Sequence, residues 1–533
     1  MKSNSALIIV NEYGKKTDLT ALKGKLLSAV LTQNGFETES PCGGNGRCGR
    51  CRARFLDGAP SPNSFDERFL SEKELRDGYR LLCKAVIRDD CEIELIKTQK
   101  DMSIEETQSH SFDSSFDQKD PEKSFAIAVD LGTTTIAATL VAAKGGKSMV
   151  LRSASCVNHQ RRYGSDVISR ISAADDPDIK NEMTDLVVSD IEKLMDELLL
   201  PEKDNGKLVG SLKHIVVAGN TTMMNLLLGR DVSWLGRFPY TSPDGGLSLK
   251  TFPAETLFKG YEGVAFTAFP GISAFVGADI VSGIYYLKSQ KMDLESAMFV
   301  DLGTNGEMAY LEGDDITVTS TAAGPVFEAG GITCGVASIP GAICHVKLDN
   351  NNGKTFASYE TIADKTPTGI CGTGVLELVS EAVRVGLVDE TGLLADPYFE
   401  MGFPLTEDGK IMLTQQDVRN LQLGKAAIRC GATALLQGKT AKRLYLAGGF
   451  GSHINMDNVK NLRMFPEDFD GKIVPVGNTS LKGAISFSQE ALSGQQSLEN
   501  AREQLKEIVN KASVINLATL DEFDEKYIEA MNF

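Results

Sequence analysis

The first apolar run of the chain, residues 6–12, reads as a strand, and apolar side chains then recur at helical spacing over residues 19–33. Residues 51–56 and 91–96 read as two further strands. The pattern then stops. Residues 98–123 are rich in Ser, Gln, Asp and Glu and nearly devoid of aliphatic side chains, too little apolar surface to order the segment alone. This stretch is read as a linker, with Phe112 and Phe116 as the side chains able to dock it on a neighbour. Beyond it, short apolar runs at 125–129, 215–218, 298–300 and 444–447 alternate with helical segments, which predicts α/β layers. Residues 375–386 read as a helix joining two lobes, and 495–533 as a charged helical tail without an assigned role.

Two strings echo each other along this second region. Ala128-Val-Asp130-Leu-Gly132-Thr133 is matched by Phe299-Val-Asp301-Leu-Gly303-Thr304. More loosely, Val217-Ala-Gly219-Asn220 is matched by Leu446-Ala-Gly448-Gly449. The order within each pair is the same, so a unit is duplicated, and a duplicated α/β lobe implies a cleft between the copies.

Length and composition narrow the classes. A chain of 533 residues is expected to hold two to four domains, and 42% hydrophobic with 24% charged residues is the balance of a globular protein. The net charge of −17 argues against nucleic acid or an anionic membrane as partner. No run of 18 apolar residues occurs and the start lacks a secretory apolar core, so a cytoplasmic location without a membrane span is expected. In that compartment the ten cysteines are thiols or metal ligands.

Five of those cysteines lie in the first 91 residues, and four form a pattern: Cys42, Cys48 and Cys51 in a C-x5-C-x2-C string, then Cys83. The first gap is one residue longer than in plant-type 2Fe–2S proteins. Two irons need four thiolates, and Gly43, Gly44, Gly46 and Gly49 let one loop fold tightly enough to supply three of them. Zinc sites favour two separated cysteine pairs, which the single late Cys83 does not provide. Cys91 reads as a buried strand residue. Arg47, Arg50 and Arg52 beside the loop could dock an acidic redox partner, tune the cluster, or simply face solvent. Over residues 1–97 the layout resembles β-grasp ferredoxins.

Asp130-Leu-Gly132-Thr133-Thr134 and Asp301-Leu-Gly303-Thr304-Asn305-Gly306 each follow a strand directly. Such turns place backbone N–H groups and hydroxyls around phosphates, while the Asp carboxylates reach Mg²⁺ directly or through its waters. With Gly448, Gly449 and Gly451 after a late strand, the trio resembles the actin/Hsp70/sugar-kinase superfamily, a ribonuclease H-like fold. The resemblance implies two phosphate loops from opposite lobes, with the late glycines against adenosine. Glu328 or Asp279 could orient the attacking water, although either could equally be a helix N-terminal carboxylate. Asn220 and its neighbours fit an inter-lobe contact or phosphate sensing. Cys334, Cys344, Cys371 and Cys430 show no paired spacing, so no second cluster is expected.

The expected architecture is therefore a ferredoxin domain over 1–97, a linker over 98–123 and a two-lobed ATP-binding domain over 124–533, divided near 220. A plant-type cluster, a polar linker and this domain together resemble the reductive activators of corrinoid proteins in methyltransferase and O-demethylase systems. The strings at 217–223 and 323–332 look like signatures of that family. The resemblance implies a 2Fe–2S cluster, ATP and Mg²⁺ as cofactors. It also implies a Co(II) corrinoid protein as partner, a separate low-potential electron donor and a homodimer. Three other readings stand beside it: a redox-gated ATPase or sensor, an activator of another low-potential metalloenzyme, and a small-molecule kinase with a ferredoxin appendage.

Overall fold

The computed structural model describes residues 5–12, 15–34, 36, 51–95, 120–164, 166–241, 248–303, 305–351, 354–448, 455–466, 469 and 471–533. The expected linker lies outside these apart from its final residues, as do Phe112, Phe116, Arg47, Arg50 and the four glycines of the cysteine loop.

The N-terminal sheet has five strands in the order Lys15–Leu22, Ser5–Glu12, Cys91–Leu95, Arg52–Asp57, Tyr79–Leu81. Ser5–Glu12 runs antiparallel to Lys15–Leu22 and parallel to Cys91–Leu95, and the core holds Ile8, Val10, Leu31, Phe55 and Ile93. The helix expected over 19–33 exists only as Leu27–Gln33. Residues before it join the hairpin instead, because Leu19 and Ala21 turn inward while Asp18, Thr20 and Leu22 face out, a period of two. Tertiary pairing overrides the helical spacing there. Arg52 bonds Glu74 and the Phe69 carbonyl, so it braces its own domain.

The duplication appears as two six-stranded sheets that share a five-stranded topology and carry their sixth strand on opposite edges. In the first, the antiparallel meander Ser124–Leu131, Thr135–Lys144, Lys147–Val157 is extended on its first strand by the parallel strands Ser211–Gly219 and Ala265–Ala268. In the second, the meander Ala297–Leu302, Gly306–Glu312, Asp315–Thr321 is extended likewise by Arg443–Ala447 and Lys472–Gly477. Each sheet then gains one edge strand, Lys250–Pro253 on the first and Ala512–Val514 on the second. A division at 220 therefore cuts the first sheet; its fifth strand is only four residues long, too short to signal in the apolar pattern.

The expected connecting helix is corrected as well. Gly372–Arg384 packs on the small sheet of Lys354–Thr361, Ala342–Asn351 and Gly369–Ile370, with Val375, Leu376 and Val379 in the core of the second lobe. The helices lying between the two large sheets are Ala278–Ser289 and Thr479–Ser493. They approach so closely that a side chain at Gly483 would come 2.1 Å from the Ser282 carbonyl, and one at Gly283 would meet the Phe299 ring at 2.4 Å. Phe487 is fully buried edge-on to Phe269, a burial that contributes roughly 1.5–3 kcal/mol. The tail closes both lobes: Leu498, Leu505 and Ile508 of helix Gln495–Lys511 enter the first core, and Phe533 enters the second under Lys425.

Candidate functional site

Cys51 and Cys83 are the two described members of the four-cysteine pattern; Cys42 and Cys48 lie outside the described residues. Cys51 precedes strand Arg52–Asp57 and Cys83 follows Tyr79–Leu81, which pair antiparallel, and the Leu82 amide donates to the Cys51 carbonyl at 2.7 Å. This brings the two thiols together. Both are 1% exposed, and they hydrogen-bond to each other. That bond, burial and mutual repulsion push the Cys51 thiol far up. A thiol pair so disfavoured as thiolates fits a cationic iron group, which would relieve the same penalty. Cys91 is elsewhere, beside the Gly58 turn, and burial pushes its thiol up to about 11.

The second cluster of chemistry lies where the two large sheets face each other. Asp130 and Asp301 occupy equivalent places, one residue before the end of the first strand of each meander. Asp130 accepts from Ser480 Oγ at 2.7 Å and Asn478 Nδ2 at 2.8 Å. Both donors start helix Thr479–Ser493, directly after the last parallel strand of the second sheet, so a second-lobe strand hands its helix N-terminus to a first-lobe carboxyl. Asp301 pairs with Glu307 across the hairpin. Glu307 in turn donates to Asp279, at the start of helix Ala278–Ser289.

The electrostatics follow from this crowding. Burial and the Asp279 charge hold Asp130 up at about 6 against its two hydrogen bonds. Burial, with Asp279, Asp130 and Glu328 as neighbours, pushes Asp301 up to about 8. Glu307 is pushed well up by burial and by Asp279, so this pair shares a proton. Such a set of carboxyls wants a cation. Among the described residues no three acidic, His or Cys side chains form a metal cage.

The turns beside these carboxyls are braced from behind. In the first, Gly132 N–H donates to the Thr135 carbonyl at 3.1 Å, Asn158 Nδ2 donates to the Gly132 carbonyl at 2.9 Å, and Asn220 Nδ2 reaches Thr133 Oγ1 at 3.0 Å. In the second, Gly303 N–H donates to the Asn305 carbonyl at 3.2 Å, Gly306 starts the next strand, and Glu328 lies against Gly303. Gly448, at φ +99°, closes over this turn; a Cβ there would stand 2.4 Å from the Leu302 carbonyl and 3.2 Å from Asp301 Oδ1, so only glycine fits. Thr134 is exposed, while Thr304, Gly449 and Gly451 lie outside the described residues. Sequence reasoning missed Asn158, Arg170, Glu307, Asn478 and Ser480. Only Glu307 carried a signal, its place directly after the second Asp-Gly turn.

Comparison with known proteins covers the whole arrangement. Residues 295–533 match the family model described as the C-terminal domain of RACo, the ASKHA domain; residues 125–292 match the RACo middle region; residues 10–88 match the 2Fe-2S iron-sulfur cluster binding domain. Corrinoid activation enzyme RamQ of Eubacterium limosum is 29% identical over 389 residues, 68% of this chain and 63% of that protein. The Co(II) methylated amine-specific corrinoid protein reductase of Methanosarcina barkeri is 27% identical over 319 residues, 53% of this chain and 55% of that protein. The chain thus spans less than two thirds of either curated relative. The solved structure titled reductive activator for corrinoid,iron-sulfur protein superposes with a TM-score of 0.66 at 26% identity, covering 99% of this chain and 98% of that one. No helix among the described residues is long and apolar enough to cross a membrane.

Proposed function

The chain belongs to the RACo family, with a 2Fe-2S domain ahead of the RACo middle and C-terminal regions, and on that premise we propose that it is an ATP-dependent reductive activator of a corrinoid protein. It restores the partner's Co(II) to Co(I) by transferring one electron. The observation that carries the reading is the union, in one chain, of a ferredoxin sheet with a cleft where two matching Asp-Gly turns share a patch of carboxyls.

Cys42, Cys48, Cys51 and Cys83 would hold the 2Fe–2S cluster, which when bound would supply one electron at low potential, about −400 mV for plant-type clusters. Each further 100 mV needed to reach the cobalt costs about 2.3 kcal/mol, which is the reason to couple the step to ATP. Gly132, Thr133 and Thr134 on one side and Gly303, Thr304, Asn305 and Gly306 on the other would hold the phosphates. Asp130 and Asp301 would reach Mg²⁺ directly or through its waters, and Gly448, Gly449 and Gly451 would carry the adenosine. Glu328 or Asp279 would orient the attacking water.

ATP acts on conformation. Drawing Asp130 toward a cation competes with its bonds to Asn478 and Ser480, which tie the lobes together; nucleotide and lobe arrangement are coupled through that carboxyl. Residues 98–123 join the cluster domain to the nucleotide domain. The electron donor is a separate low-potential reductant.

The test mixes anaerobic, chemically reduced protein with a Co(II) corrinoid methyl carrier and follows cobalt optically, with and without Mg-ATP. Co(I) appearing only with ATP is the expected result. ATP turnover without cobalt reduction would overturn the reading in favour of a redox-gated ATPase or a kinase.

A further inference from the structure

Arg170, on helix Val167–Ala173, lies behind the first Asp-Gly turn and is completely buried. Its guanidinium donates to the Gly164 carbonyl at 2.9 Å, the Thr133 carbonyl at 2.6 Å, Gln160 Oε1 at 3.4 Å and Met223 Sδ at 3.0 Å. All four acceptors are neutral. The nearby carboxylate of Asp166 caps its own helix, accepting from Ser169 N and Ser169 Oγ, and among the described residues it makes no ion pair with Arg170. A buried cation is costly unless an anion compensates it, and burial pushes this guanidinium down to about 9.

The backbone shows where the anion belongs. Within a trans peptide unit the carbonyl and the following N–H point in opposite directions. Asn158 Nδ2 holds the Gly132 carbonyl, Arg170 holds the Thr133 carbonyl and the Asn158 amide holds the Thr134 carbonyl, all from one side. The N–H groups of Thr133 and Thr134 therefore face the other way, and neither has an acceptor among the described residues. Successive unpaired N–H groups over a buried positive charge make an anion nest.

We propose that Arg170 is the positioning residue of the first phosphate loop: it orients the Thr134 N–H toward the nucleotide, and the bound polyphosphate adds to the partial compensation that the Asp166 carboxylate gives. The proposal rests on the nucleotide reading above and adds to it the element that discriminates phosphates from the bare nucleoside.

The experiment measures binding of Mg-ATP and of adenosine to the full chain by calorimetry, for the native protein, Arg170→Met and Arg170→Lys. Arg170→Met should weaken Mg-ATP by roughly tenfold or more while adenosine stays within about twofold. Arg170→Lys, with the cation but not the fork, should fall between. If Arg170→Met does not fold, Arg170→Lys is read in its place. Equal weakening of both ligands, unchanged Mg-ATP binding, or failure of both variants to fold would overturn the proposal, the last making Arg170 a folding residue. A native protein that binds adenosine but gains nothing from the phosphates would also overturn it. Binding of neither ligand would instead sink the nucleotide reading itself.

Discussion

Cys83 and Cys91 stand eight residues apart, both buried, yet their surroundings assign them opposite parts. Cys83 shares its hydrogen bond with Cys51, whereas Cys91 sits at the Gly58 turn with its thiol raised by burial and by Asp90 and Asp57. Cys83→Ser should remove the visible absorption and the iron of the reduced protein's 2Fe–2S signal. Cys91→Ser should retain both and cost no more than about 1–2 kcal/mol of stability. Iron analysis with electron paramagnetic resonance reads both variants, and loss of iron from Cys91→Ser would break the assignment. The cysteine string and the Asp-Gly turns were legible in the sequence because each is a local backbone device. The groups that complete the site were not: Asn478 and Ser480 reach Asp130 across 348 and 350 residues, and Arg170 reaches Thr133 from 37 residues away. No spacing rule connects such pairs; the sheet order does.

At the scale of elements, the strands were read well and the connections poorly. The apolar runs at 125–129, 215–218, 298–300 and 444–447 sit in the large sheets where the pattern placed them, but strand Ala265–Ala268 and the return of helix Thr479–Ser493 to the first sheet escaped. That return produces the crowding of carboxyls, and the crowding has a pH signature. Asp130 and Asp301 rise from 3.8 to about 6 and about 8, so between pH 4 and 8 the folded protein binds protons that the unfolded chain has released. By linkage, stability without Mg²⁺ should fall as pH rises through this window. His214 works in the other direction, since burial lowers it to about 4 and its contribution is lost as pH falls below 6.5. Over 6.5–8 Asp301 and Glu307 lower stability as pH rises, while Lys425, held down to about 7 by burial, works the other way, so the Asp301 contribution is the difference in stability between the native protein and Asp301→Asn. In denaturant titrations that difference should fall by at most about 1 kcal/mol per pH unit, because the half-buried carboxyl is partly screened. Mg-ATP, which needs the ionised carboxylates, should stabilise more at pH 8 than at 6.5. A native-minus-Asp301→Asn difference that grows with pH over this interval would contradict the arrangement.

For the whole molecule the question is whether the cluster domain and the nucleotide domain are separable machines. Each has its own core: Ile8, Phe55 and Ile93 belong to one set of contacts, while the two large sheets close around Phe266, Phe299 and Phe487 in another. The nucleotide domain is anchored at its own start, where buried Lys123 meets Glu202, which also bonds Arg152. The triad lies within residues 123–202. A chain beginning near residue 98 should therefore fold, bind Mg-ATP with an affinity within a few-fold of the native protein and keep measurable ATPase, yet produce no Co(I) at any ATP concentration. Adding the separate domain 1–97 in trans should restore only a small fraction of cobalt reduction. Covalent linkage of two modules gives effective concentrations in the millimolar range, which micromolar free domain does not match. Loss of nucleotide binding on truncation would mean that the cluster domain completes the cleft. Full rescue in trans would mean that the tether does no positioning, and that ATP gates the partner alone.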